Sequence, residues 1–138
     1  MGRAARAGVL YFVLAFMAGF LLGTFRELAV SPRFRPLTAV LIEVPIMLAF
    51  SIWAARFVVQ RLLVPVRAGA RLLMGSLAFL LLIMAETGDG ILLMDQTFVG
   101  HFAGYARPQQ GIGLLAQIAF ALFPLMVGPP RPALSQSR

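Results

Sequence analysis

Nineteen consecutive residues, Ala7 to Phe25, carry no charge, which matches the roughly 20 residues that cross about 30 Å of hydrocarbon as a helix. Three more apolar blocks follow. The second, Leu37 to Val59, is broken by Glu43, Pro45 and Arg56. The third, Leu72 to Met94, is uncharged through Ala85 and then passes Glu86 and Asp89. The fourth, Gly111 to Val127, contains Gln117 and Pro124. Between blocks lie Arg33-Phe34-Arg35-Pro36, Val64-Pro65-Val66-Arg67 and Arg107-Pro108-Gln109-Gln110, all rich in turn chemistry and charge. The blocks lack strict alternation, and a membrane barrel needs many more strands.

The expected fold is therefore an all-α integral membrane protein. Four transmembrane helices, spanning about 7–25, 37–59, 72–94 and 111–127, form an antiparallel bundle in one domain, 1–127, followed by a disordered cytoplasmic tail, 128–138. Arg3 and Arg6 ahead of an apolar run also describe a signal peptide, but the run is long for one and no small-x-small cleavage site precedes Arg26. The first block is read as a retained span. No internal repeat stands out.

Composition closes off other classes. Of 138 residues, 60% are hydrophobic and 12% charged, against about 45–50% and about 25% in soluble domains. Too few charges remain to cover a soluble globule. Cysteine is absent, so disulfide, thiolate and thiol-metal chemistry are excluded. Lysine is absent, and every cation is an arginine. With the N-terminus inside, the cytoplasmic face holds Arg3, Arg6, Arg56, Arg61, Arg67, Arg71, Arg131 and Arg138, and the outer face Arg26, Arg33, Arg35 and Arg107. That bias predicts both termini in the cytoplasm.

Charge inside hydrocarbon costs at least about 2.5–3.5 kcal/mol and asks for a partner or a role. Glu43, Glu86 and Arg26 are expected at similar depth on three helices, with Asp89 one turn beyond Glu86 on the same face. One reading is a polar clasp, in which the Arg26 guanidinium binds Glu43, Glu86 or both. The other is that one carboxylate stays unpaired and carries a proton or a cation. Ala15, Gly19 and Gly23 form a small-residue stripe leading to Arg26, suited to close helix packing. Pro45 and Pro124 interrupt spans two and four as kinks, freeing the carbonyls of Leu41 and Phe120. Arg56, Arg61, Arg67 and Arg71 surround an inner turn, where they set topology and hold anionic lipid headgroups on the cytoplasmic side.

Asp95 to Ala106 places Phe98, Val99, Phe102 and Tyr105 at helical spacing, with Asp95 as a cap. It reads either as a short helix in the headgroup region or as a loop with aromatic anchors. Nucleic acid is a poor partner despite a pI of about 11.7, since no basic domain or motif is present. His101 is the single histidine; no metal site, cofactor or catalytic pattern is expected.

Gly23-Thr24-Phe25-Arg26, Pro32-Arg33, Glu43-Val44-Pro45-Ile46-Met47 and Ala54-Ala55-Arg56 form a spaced set. It resembles a group of small, uncharacterised four-helix inner-membrane proteins of proteobacteria with a GT-x-R … P-R … E-x-P-x-M … AAR pattern, and Glu86 late in the third span fits it too. The resemblance implies a multi-pass protein of the bacterial inner membrane and singles out Arg26, Glu43, Pro45 and Glu86. Two functions follow as expectations. The first is a non-enzymatic accessory or structural component with a buried Arg-Glu cluster, alone or in a larger membrane complex. The second is a small proton- or cation-coupled transporter working as a homo-oligomer.

Overall fold

Pro36 and Pro108 each open a helix, where a fixed φ suits the first turn and the missing N–H goes unused. The computed structural model describes residues 1–30, 32–94 and 97–129, and no strand occurs among them. Helix α1 is Gly2–Phe25 and runs on as a π turn, Arg26–Val30. Helix α2 is Pro36–Arg61, α3 Ala68–Met94, α4 the short Phe98–Ala103, and α5 Pro108–Met126. Helices α1, α2, α3 and α5 are long and apolar enough to cross a membrane, and they extend past the apolar blocks because the flanking arginines and prolines are helical as well. Asp95, Arg131, Arg138 and the tail from residue 130 lie outside the described residues, as do the His101 and Tyr105 side chains.

The four long helices occupy the corners of a square in the order α1, α2, α5, α3. Helices consecutive in the chain run antiparallel, but two of the contacting pairs are parallel. Gly8 near the start of α1 faces Met74 and Leu77 near the start of α3, whereas Arg71 at the start of α3 meets the end of α5. Helices α2 and α3, though consecutive, sit at opposite corners.

Their link must therefore cross the end of the bundle, and it does so through a sharp helix stop. Leu63 adopts a left-handed φ of 49°, a conformation that suits glycine and strains a side chain. The Val64 N–H donates to the Val59 carbonyl at 3.1 Å and the Leu62 N–H to that of Val58 at 3.0 Å, closing the helix end. Val64 is then buried against Val58 and Val59, all three with no exposure.

Packing is uneven along the bundle axis. The end holding the N-terminus, here the near end, is solid: Ala7, Tyr11, Ala54, Ala55, Val58, Val59, Met74, Ala78 and Phe123 are buried in one core. Its tightest approaches use glycines outside the stripe. A Cβ on Gly75 would strike the Ala121 carbonyl, and one on Gly8 would lie 2.9 Å from the Met74 carbonyl oxygen.

Two polar side chains lock α5 into this core. Pro124 has no N–H for the Phe120 carbonyl one turn back; the buried Tyr11 hydroxyl donates to that carbonyl at 2.9 Å, and the Tyr11 ring stacks on Phe120 at 4.2 Å. Arg71, 2% exposed, donates to the carbonyls of Pro124 (2.8 Å), Val127 (3.1 Å), Gly128 (3.3 Å) and Pro65 (3.1 Å). The last carbonyls of a helix lack intrahelical donors and carry the negative end of its dipole, so a guanidinium satisfies both needs at once. The expectation that Arg71 holds lipid headgroups is thereby overturned: the side chain is buried and makes these four hydrogen bonds inside the protein. Arg56, Arg61 and Arg67 are exposed at the same end.

At the far end, α4 forms the short helix allowed for residues 95–106, followed by a 3₁₀ turn, Gly104–Ala106. Thr97 Oγ1 accepts from the Gly100 N–H at 3.1 Å, which is the N-cap geometry. The Phe98 and Phe102 rings lie 4.9 Å apart, and Phe98, Val99 and Phe102 are exposed, as in a helix lying at a headgroup boundary.

Candidate functional site

Above the solid core the bundle is hollow. A chamber of about 400 Å³ extends toward the far end, lined by all four long helices. Its floor is Ala15, Ser51, Leu82 and Phe120, and its rim is Arg26, Asp89, Gln109 and Gln110. Phe120 and Gln109 lie eleven residues apart on α5, so the chamber is about 16 Å deep at 1.5 Å per residue.

The helices stand apart here because the small-residue stripe is not a packing seam. A Cβ on Gly23 would meet nothing within 4 Å, and one on Gly19 would meet only the Met47 methyl at 3.7 Å. The expected helix-packing role is corrected for Gly19 and Gly23, which line the chamber instead; Ala15, 2% exposed, closes its floor. Small side chains on one helix face permit close approach only if a second helix comes close, and the chamber fills that position.

All four residues expected in the polar cluster line this chamber, in two separate groups. Arg26 donates through Nη1 to Glu43 Oε2 at 2.8 Å, with 33% and 19% of the two side chains exposed, and reaches Glu27 at 3.4 Å. The π turn beginning at Arg26 joins α1 to the link that leads into α2. Pro45 lies two residues past Glu43 inside a continuous α2, and Pro124 lies inside α5.

Glu86 is held differently. Both of its carboxylate oxygens accept from Gln117 Nε2 on α5, at 2.7 and 2.6 Å. Among the described residues no cation lies within ion-pair distance of Glu86 or Asp89. Three carboxylates therefore face one guanidinium that Glu43 already occupies. Sequence reasoning noted Gln117 in the fourth block without giving it a partner; the available signal was a lone amide within an apolar span, which needs a hydrogen bond as much as a charge does.

Only the amide nitrogen is committed to this carboxylate. Gln117 Oε1 is buried without a partner, as is the hydroxyl of the neighbouring Thr87, although an unmet buried polar atom costs about 1–3 kcal/mol. A half-turn of the amide exchanges donor for acceptor, so Gln117 can serve a carboxylate through Nε2 or a protonated carboxyl through Oε1. The pair thus accommodates Glu86 in either protonation state without moving a helix. Phe16, Phe20, Met47, Leu48, Leu82 and Phe120 supply apolar walls around it. No group of three or more histidine or acidic side chains among the described residues is placed to hold a metal ion. Comparison with protein-family models, with curated proteins and with solved structures finds no match to this chain.

Proposed function

We propose that this is a non-enzymatic, multi-pass protein of a bacterial inner membrane, with both ends of the bundle's chain on the cytoplasmic side, acting as a proton- or cation-coupled carrier. One observation carries the reading: Glu86 faces a roomy chamber, is gripped by a neutral amide, and has no arginine beside it among the described residues. A carboxylate kept only for structure would be matched with a cation or left out of the span. In this orientation the chamber opens outward and the Tyr11, Met74 and Phe123 core seals it from the cytoplasm, while exposed Arg56, Arg61 and Arg67 meet anionic headgroups. An accessory or structural role explains the Arg26–Glu43 pair and gives the chamber no use.

Exchange in reconstituted vesicles tests this. With a trapped pH dye and an acidic lumen, adding external sodium, potassium or benzyltrimethylammonium chloride is expected to raise lumenal pH several-fold faster than in protein-free vesicles, for at least one of the three. The Glu86→Gln variant is expected to purify as a folded, monodisperse protein and to lose that exchange. Wild-type protein no faster than empty vesicles for all three, or a Glu86→Gln variant exchanging at the wild-type rate, would overturn the carrier reading.

A further inference from the structure

Resting on the carrier reading, we infer that the solute is an organic ammonium ion with an apolar body, its cationic head between Glu86 and Asp89 and its body along Phe16, Leu82, Met47 and Phe120. The chamber's two chemistries call for both halves of such a molecule. Glu86 and Asp89 lie three residues apart on one face of α3, both line the chamber, and neither has a cation partner among the described residues. Arg26 is directed to Glu43 and Glu27 and cannot also neutralise them in this arrangement.

A small dehydrated metal ion demands several converging oxygen ligands, and no three acidic side chains converge closely enough among the described residues. A diffuse ammonium charge needs no such cage. It is served by one or two carboxylates together with the faces of nearby aromatic rings. The walls provide these rings: Phe16 and Phe20 stand 6.5 Å apart along α1, and Phe120 is fixed at the floor by its stack on Tyr11. A volume of about 400 Å³ falls in the usual small-molecule range of about 300–1,000 Å³, far more than an inorganic cation fills. The open stripe at Gly19 and Gly23 makes that room, since side chains at these positions would occupy the chamber and touch little else.

Three probes separate the contributions by calorimetry on the full-length protein in nanodiscs. Benzyltrimethylammonium carries both halves, tetramethylammonium the charge alone, and benzyl alcohol the ring alone. The inference expects benzyltrimethylammonium to bind at least about ten times more tightly than either other probe, since charge pairing and ring burial each contribute. Glu86→Gln and, separately, Gly23→Leu are expected to weaken it by a similar factor while keeping the wild-type melting temperature. Equal binding of tetramethylammonium and benzyltrimethylammonium, or exchange in vesicles driven by sodium or potassium only, would overturn the amphiphile and leave the carrier reading standing. Equal binding of benzyl alcohol would reduce the chamber to an apolar pocket and overturn the inference. Absence of both binding and exchange in well-folded protein would overturn both.

Discussion

Replacing Arg71 with leucine is expected to release α5 and destabilise the bundle by about 2–6 kcal/mol, because two buried carbonyls, those of Pro124 and Val127, lose their donor at about 1–3 kcal/mol each. Hydrophobicity is not the missing quantity, since leucine is more apolar than arginine. The loss comes from the end of α5, whose final carbonyls sit against α3 rather than in water. Arg71→Lys is expected to recover only part of it: an ammonium is a point donor and cannot fork across the carbonyls of Pro65, Pro124, Val127 and Gly128. Thermal unfolding in detergent, followed by loss of the monodisperse peak, reads the order wild type, Lys, Leu. A headgroup-binding Arg71 would instead show near-wild-type stability for both variants.

The second large effect separates two glycines of opposite meaning. Gly75→Leu is expected to cost about 3 kcal/mol or more, at the upper end of overpacking penalties, because the added Cβ runs into the Ala121 backbone carbonyl, which has no rotamer with which to retreat. Gly23→Leu, with open space around its Cβ, is expected to change stability by no more than about 0.5 kcal/mol. If the Gly19–Gly23 pair were the packing seam, the order would reverse. The same unfolding measurement distinguishes the two, and the reversed order would place the close helix contact on α1's stripe.

Hydropathy made the four long helices legible, since a span needs length and apolarity and both are local properties of a chain. Proline chemistry was legible as well: Pro124 must orphan the Phe120 carbonyl, whatever the fold. That Tyr11 supplies the missing donor depends on which helices meet, and helix order in a bundle is not written in periodicity. The same ignorance of neighbours affects four residues. Arg71 looks like any arginine at a membrane edge until α5 is brought to it. Gly19 and Gly23 look like a seam until α2 and α3 are seen to stand back from them. Glu86 had no visible reason to choose Gln117 over Arg26: α3 packs against both α1 and α5, and only the directions of the side chains, Arg26 to Glu43 and Gln117 to Glu86, separate them.

Water access along the bundle tests the central claim most directly, and a chain with no cysteine permits it residue by residue. Single cysteines at Gly23, Gly113 and Ser51 line the chamber, Leu80 faces away from the bundle, and Val58 lies in the solid core. In oriented vesicles, a membrane-impermeant maleimide added from the outer side is expected to label Gly23→Cys, Gly113→Cys and, more slowly, Ser51→Cys, with Leu80→Cys and Val58→Cys untouched from either side. Labelling of the three chamber positions from the cytoplasmic side alone, or none at Gly113 and Ser51 in folded protein, would contradict a water-filled acidic chamber open to the outside.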